Sequence, residues 1–342
     1  MNLLNTQFQM ENLYIRQDNK TGLIGIIAIH NTKNGPALGG CRFVNYNSVD
    51  EAIMDAMKLA KAMTYKSAMA GLPLGGGKSV IISHPGIQDR QRVLEGFGNF
   101  VESLNGKYIT ASDSGTTEED MHIVAKRTKY VTSINTSNEQ IDDTAFMTAT
   151  GVVKAIEAAV KCKLNKDHFN EVHIAVQGVG NVGYLITKML INKGAKVTIT
   201  DKNTKLLTQR AKEIDVDVVA PENITTVVCD VFSPCALGGT INQSTIENIQ
   251  APIICGAANN QLYDTQTGEK LHSKGILFVP DYVANAGGVI CAASQANIIT
   301  KDDAYQKVNN IYNSVVNIIE ISSNENLPSY IIANNLAEKR IL

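Results

Sequence analysis

Val172–Asp201, VHIAVQGVGNVGYLITKMLINKGAKVTITD, is the stretch on which the fold turns. Val172 to Gln177 reads as a buried strand, and Gly178-x-Gly180-x-x-Gly183 turns the chain into a helix that ends at Gly194. A second strand, Lys196 to Thr200, ends in Asp201, 23 residues after the first glycine. A lone G-x-G-x-x-G is weak evidence. Between a strand and a helix, with an acid closing the next strand, it has the context of a dinucleotide fold. The glycines allow the tight turn, backbone approach to a pyrophosphate and close helix packing, and the acid meets the ribose hydroxyls. The alternative is a glycine-rich βα turn that binds nothing.

Strand and helix patterns continue on both sides. Downstream, a helix near Asn203–Glu213 precedes strands near Asp217–Val219, Val227–Val231, Ile253–Gly256 and Ile276–Val279, and helices over about Ala304–Ser322 and Pro328–Leu342 close the chain. Upstream, residues 12–18 and 23–30 form a hairpin, and Ala37–Gly40 is a glycine-rich approach. A helix opened by a Ser48/Glu51 capping box runs to about Ala70, followed by a strand at Ser79–Ser83 and a helix at about Gln88–Asn105. A strand at Lys107–Ala111, a helix capped by Thr116 with Glu119, and a short strand at Tyr130–Ile134 complete this half. The alternation predicts an α/β protein of two domains. Residues 1–135 are expected to form an α/β unit of their own and residues 136–324 a Rossmann unit. The polar run Asn135–Asp143 marks the boundary.

The first domain carries a second signal, AGLPLGGGKSVII, from Ala70 to Ile82. Three glycines deliver the chain to Lys78 and an apolar run follows, so this lysine is expected to be shielded from water, which favours the uncharged form a general base needs. The plain alternative is a surface turn with a solvated lysine. Company favours the chemical reading, since Lys66 lies twelve positions upstream and Asp113 sits in another glycine-containing turn, ASDSGTT. Lys66 also suits the last turn of its helix as a cation against the dipole. A phosphate-binding P-loop is excluded, because Gly71 to Gly77 encloses one residue too many and a helix precedes it.

The chain has 342 residues, 44% of them hydrophobic and 19% charged, with a net charge of −2. That balance suits a globular protein and gives no reason to expect nucleic acid or an anionic membrane as partner. The six cysteines form no C-x-x-C pair and no His/Cys/Asp cluster has ligand spacing, so reduced thiols, a cytoplasmic location and no metal are expected. The N-terminus lacks the pattern of a secretory signal, and no apolar run approaches membrane-spanning length.

With these residues in view, the sequence resembles the glutamate/leucine/phenylalanine/valine dehydrogenase family, and within it the leucine dehydrogenases. GPALGG (35–40), MTYKSAMAGLPLGGGKSVII (63–82), VQGVGNVG (176–183), PCALGG (234–239), GAANNQL (256–262) and PDYVANAGGVI (280–290) carry the likeness. The resemblance implies that Lys66 holds the substrate carboxylate, that Lys78 is the catalytic lysine and that Asp113 moves protons to and from the substrate nitrogen. Gly39 and Gly40 would line the substrate cleft, and Leu38, Ala111, Val289 and Ala292 the side-chain pocket. Thr148 with Asn259 or Asn260 would contact nicotinamide and substrate. Gly178, Gly180, Asn181, Val182, Gly183, Asp201, Cys235, Ala236 and Ala257 would hold NAD. The family also implies that residues 1–135 are a substrate-binding and oligomerisation domain to which the terminal helix, 325–342, returns, that residues 136–324 are a Rossmann NAD-binding domain, and that the chain forms a homo-oligomer, an octamer in the nearest branch. The sequence departs from the family pattern at Ser114, after Asp113, and in the CAASQA run from Cys291.

The chemistry agrees. Oxidising an α-amino acid takes hydride removal by the cofactor, then hydrolysis of an iminium by activated water. Lys78 suits the base and Asp113 the shuttle. The expected activity is reversible, NAD-dependent oxidative deamination of L-leucine, with valine and isoleucine accepted. Ala292 makes phenylalanine the alternative substrate. A non-catalytic NAD-binding protein is disfavoured by the presence of Lys66, Lys78 and Asp113. A hydroxy-acid dehydrogenase is disfavoured because only His84 lies near the glycine turns.

Overall fold

Two sheets, each flanked by helices, organise the computed structural model, which describes residues 9–135, 139–214 and 216–341. The chain divides into a first unit, Met1–Asp142 with Cys291–Lys301 and Ala337–Leu342, and a second, Asp143–Ile290 with Asp302–Leu336. The sequence reading set the division at 135/136 and gave the whole terminal helix to the first unit. Part of that expected boundary, residues 136–138, and the expected N-terminal features before residue 9 lie outside the described residues.

In the first unit β1 (Asn12–Asp18) and β2 (Leu23–Asn31) form the expected hairpin. Then come β3 (Ala37–Val44), α1 (Val49–Met69), β4 (Gly75–Ile82), α2 (Arg90–Glu102), β5 (Tyr108–Ser112) and α3 (Glu118–Ala125). The sheet order is β1-β2-β4-β3-β5, with β2 antiparallel to β4, and β3 parallel to both β4 and β5. Apolar residues of α1, among them Ala52, Ala56 and Met57, pack with Ile26 and Val80 in one core. Val93, Leu94 and Phe97 of α2 pack with Ile27, Ile81 and Tyr108 in the other. The sheet is therefore sandwiched between helices, and every residue of β4 is buried.

Two glycine stretches to which the sequence reading assigned no strand are strands. None of Gly39, Gly40, Gly75, Gly76 and Gly77 has a positive φ, so their value is room and not an unusual dihedral. A Cβ on Gly76 would collide with the backbone nitrogen of Thr64, and one on Gly77 would stand 2.8 Å from the Tyr108 ring. The glycines let α1 and Tyr108 close directly onto β4. Ser48 caps α1 by accepting from Glu51 N, while the Glu51 carboxylate accepts from Asn47 N. The capping box of α3 uses Thr117 and Asp120 instead of Thr116 and Glu119, because the Thr116 hydroxyl is committed to the Asp113 turn. The strand expected at Tyr130–Ile134 reduces to a single bridge, Val131 to Thr110.

The second unit contains α4 (Thr144–Leu164), β6 (His173–Gln177), α5 (Asn181–Asn192), β7 (Lys196–Thr200), α6 (Thr204–Glu213), β8 (Asp217–Val218), β9 (Val231–Pro234) and β10 (Ile253–Ile254). There follow α7 (Thr265–Ser273), β11 (Leu277–Phe278), α8 (Asp281–Ala284), α9 (Gly287–Gln295), α10 (Lys301–Asn309), α11 (Ile311–Glu325) and α12 (Ser329–Ile341), with the ends of α9 and α12 counted in the first unit. All strand pairs are parallel and the order is β11-β10-β9-β6-β7-β8. Numbered within the unit this is 6-5-4-1-2-3, the doubly wound order whose strand direction of travel reverses beside β6. The strand expected at Val227–Val231 begins only at Val231, after an exposed Val228. The helix expected at about Ala304–Ser322 is broken in two at Asn310. Among the described residues no helix is long and apolar enough to cross a membrane.

Candidate active site and dinucleotide turn

In the first unit, β3, β4 and the turn after β5 bring together Gly40, Lys78 and Asp113. Lys78 is 6% exposed, and its Nζ donates to Asp113 Oδ2. A Cβ on Gly40 would stand 2.8 Å from Asp113 Cβ and 3.4 Å from Lys78 Nζ, so the glycine leaves an open floor beside the pair. The turn is set by Thr116, whose Oγ1 accepts from Asp113 N at 2.9 Å and donates to Cys41 O at 2.9 Å. Ser114, the departure from the family pattern, leaves this arrangement intact. Burial pushes the Asp113 carboxyl up, but the Lys78 ammonium and Arg42 outweigh it and hold the group well below the usual carboxylate range. A buried ammonium paired with a carboxylate on an open floor can move a proton to or from a small ligand.

Lys66 is half-buried in the last turn of α1, two residues after the Thr64 that Gly76 admits. Leu38, Ala111 and Ala292 are buried in the same unit, with Gly40 opposite Ala111 in the strand register. Ala292 is fixed through its carbonyl, which accepts from Thr132 Oγ1 at 3.0 Å. Beneath β3, Tyr108 Oη donates to Gly39 O at 2.5 Å and lies 2.9 Å from Ser79 Oγ, which braces the glycine strand from below.

Sequence reasoning missed Arg42. Its Nε donates to Asp113 Oδ2 at 3.1 Å and its Nη1 to Asp55 Oδ2 at 2.8 Å. The available signal was Gly40-x-Arg42, since alternate residues of a strand share a face. Reading Ala37–Gly40 as a glycine-rich approach, without a strand through Arg42, concealed it.

In the second unit the glycine turn has the shape a dinucleotide needs. Gly178 has φ +97, and a Cβ on Gly183 would collide with Gly178 O, so α5 packs tightly on the turn. Nothing lies within 4 Å of a Cβ on Gly180, and no side chain caps the first N–H groups of α5. Those groups, at Asn181 and Val182, face outward from a helix N-terminus, where an anion is favoured. Asp201 is held by two backbone donors, Val179 N at 2.9 Å and Asn203 N at 2.8 Å. A cavity of about 580 Å³ runs from Gly178 and Asp201 past Cys235 and Ala236. Burial pushes the Cys235 thiol up, which suits a lining group more than a nucleophile. These features fit an NAD-type dinucleotide.

The loops after β9 and β10 close on this edge. Cys235 N donates to Gln177 O at 2.7 Å, and Ala258 N to Pro234 O at 2.9 Å. Asn285, also missed, donates through Nδ2 to Ala257 O at 3.0 Å and to Asn259 Oδ1 at 2.9 Å. Asn260 is exposed at φ +52, its carbonyl accepting from Gly239 N at 2.7 Å. A Cβ on Gly288 would stand 2.9 Å from Thr148 Oγ1, so the Gly287-Gly288 pair seats α9 against α4. Val289 is buried one residue later. Among the described residues no group of three or more His, Cys, Asp or Glu is placed to hold a metal ion.

Comparison with known proteins gives consistent matches. Residues 6–130 match the model of the Glu/Leu/Phe/Val dehydrogenase dimerisation domain, and residues 141–220 and 199–341 that of glutamate/leucine/phenylalanine/valine dehydrogenase. The chain is 43% identical to a leucine dehydrogenase of Bacillus subtilis over 98% of its own length and 92% of the relative's. It is 37% identical to a phenylalanine dehydrogenase of Caldalkalibacillus thermarum, covering 97% and 91%. The crystal structure of L-tryptophan dehydrogenase from Nostoc punctiforme superposes with a TM-score of 0.85 at 36% identity, covering 98% of this chain and 96% of that one.

Proposed function

This chain belongs to the Glu/Leu/Phe/Val dehydrogenase family, and we propose that it catalyses the reversible, NAD-dependent oxidative deamination of branched-chain L-amino acids, L-leucine foremost. The observation that carries this reading is the buried Lys78–Asp113 pair on the Gly40 floor. It is supported by higher identity to leucine than to phenylalanine dehydrogenases.

In this reading Lys66 pairs with the substrate carboxylate and fixes its orientation. A nicotinamide cofactor held at the Gly178–Gly183 turn and Asp201 would supply the acceptor for the hydride of the substrate Cα. Asp113 accepts a proton from the substrate ammonium as the amine is readied for oxidation. Lys78, having first released its own proton to solvent, takes a proton from water as that water attacks the iminium carbon; Asp113 returns its proton to the nitrogen, the C–N bond breaks to release ammonia, and the carbinol hydroxyl gives its proton to solvent as the 2-oxo acid forms. Buried Leu38, Ala111, Val289 and Ala292 would meet an aliphatic side chain. The carboxylate of Asp201, anchored by Val179 N–H and Asn203 N–H, would accept from the ribose hydroxyls and disfavour a 2′-phosphate. An aromatic L-amino acid is the second reading, favoured by the small Ala292. We further propose a homo-oligomer, an octamer in size, and a cytoplasmic location, which six free cysteines support.

The test is stoichiometric. L-leucine and NAD⁺ should yield NADH, ammonia and the 2-oxo acid in equal amounts, and Lys78→Ala should lose roughly 10²- to 10⁴-fold in kcat while still binding NADH. NADH formed without ammonia would exclude deamination.

A further inference from the structure

Arg42 joins two carboxylates carried by different elements. It leaves β3 on the face of Gly40, reaches Asp113 with Nε and spans to Asp55 of α1 with Nη1. Tyr46 Oη donates to the same Asp55 oxygen at 2.6 Å, so Asp55 is held in place from a second side. On Asp113 the guanidinium shares Oδ2 with Lys78 Nζ. The two cations differ in kind. A lysine that serves as base passes through a neutral state in the cycle, whereas a guanidinium stays charged at every working pH. Resting on the deamination reading above, we propose that Arg42 and Asp55 form a tuning couple for Asp113. Arg42 is a positioning residue that keeps Asp113 in place while Lys78 turns to water and favours the return of Asp113 to its ionised form, and Asp55 sets how much of the Arg42 charge Asp113 feels.

The proton account gives the couple its purpose. When Asp113 accepts a proton, R–NH₃⁺ becomes R–NH₂ and the carboxylate becomes a carboxylic acid. The fixed Arg42 charge makes that acid form costly, so the proton is driven back to nitrogen as ammonia leaves. The other groups around Asp113 do not offer this control. Burial pushes the Cys41 thiol up to about 12 and raises the Tyr108 hydroxyl, so both stay neutral. Asp120 is engaged by Arg90 at 2.7 Å, and Ser114 and Thr116 bring only neutral dipoles. Besides Lys78, Arg42 acts on Asp113 directly and Asp55 acts through Arg42, and the two pull in opposite senses.

Opposite pulls give an opposite signature. In the full-length enzyme, with saturating NAD⁺, the pH dependence of kcat and of kcat/KM for L-leucine is measured for the parent, Arg42→Gln, Arg42→Lys and Asp55→Asn. Arg42→Gln should lower kcat about 10- to 100-fold, a part of the 10²- to 10⁴-fold that proton transfer contributes. It should also move the acid limb up by about one to three pH units, the usual effect of an arginine beside an aspartate. Arg42→Lys should restore most of kcat and return the limb towards the parent. Asp55→Asn keeps both cations and the shape of the site, and should move the limb down. Movement of both limbs in the same direction, or of neither, overturns the couple in an active enzyme. A parent that deaminates no L-amino acid removes the functional reading and the couple together.

Discussion

Replacing Asp113 by asparagine and Lys78 by methionine should have unequal effects on stability, although the two residues form one pair. Asp113 has two cationic partners, Lys78 and Arg42 at 3.1 Å, whereas Asp113 is the carboxylate brought to Lys78 among the described residues. Asp113→Asn therefore leaves a lysine only 6% exposed without its counter-charge, while Arg42 keeps Asp55 at 2.8 Å. Breaking a buried pair from one side costs about 3–5 kcal/mol, and the quarter exposure of the Asp113 side chain argues for the lower end, about 3 kcal/mol. Lys78→Met instead leaves Asp113 with Arg42 and replaces the ammonium by an apolar group of similar length, so the cost should stay within about 1 kcal/mol. For a unit of this size, 3 kcal/mol lowers the unfolding midpoint by roughly 6–12 °C. Calorimetry at pH 7 on the two variants and the parent measures the difference. The folded-state pKa of Asp113 lies below its unfolded value, so its contribution is present above the ordinary carboxylate range and is lost as pH falls through the lowered value. The gap between parent and Asp113→Asn should accordingly narrow in acid. A Lys78→Met protein as unstable as Asp113→Asn would refute the claim that Arg42 suffices for Asp113.

NAD⁺ should exceed NADP⁺ by at least about tenfold in kcat/KM, roughly 1.4 kcal/mol, because Asp201 repels a 2′-phosphate; equal values would show that it does not face the ribose. Ala292→Val should raise the preference for L-leucine over L-phenylalanine, since a methylene in such a pocket is worth about 1–3 kcal/mol, and an unchanged ratio would place Ala292 outside the pocket. His30, whose Nδ1 lies 2.8 Å from Thr64 Oγ1, has its pKa pulled down to about 4 by burial and then by Lys61. Its folded value is thus below its unfolded one, so stability is full above pH 6.5 and declines as pH falls towards 4; His30→Gln should flatten that decline in denaturant titrations.

The dinucleotide half was legible because its information is local. Strand, glycine turn, helix and acid follow one another within Val172–Asp201, and the structure keeps them in that order as β6, α5 and β7. The proton-handling pair was legible as residues but not as architecture. Gly39, Gly40 and Gly75 to Gly77 carry no strand mark, since glycine is poor in strands; what places them there is close approach from elsewhere in the chain, by Gly77 O at Gly39, Asp113 at Gly40, Asn31 O at Gly75, Thr64 at Gly76 and Tyr108 at Gly77. Arg42 was hidden for the same reason, as its two carboxylates lie 13 and 71 residues away. Asn285 carried no local mark, because its value lies in a hydrogen bond to Asn259 across 26 residues.

The most direct test of the central claim is the ratio of kcat/KM for L-leucine to that for L-phenylalanine, measured on the unmodified protein by NADH formation with saturating NAD⁺. The account predicts a ratio well above one, with L-valine and L-isoleucine also turned over. A ratio below one would contradict the branched-chain assignment and transfer the site to an aromatic substrate, with the family and the Lys78–Asp113 chemistry still in place.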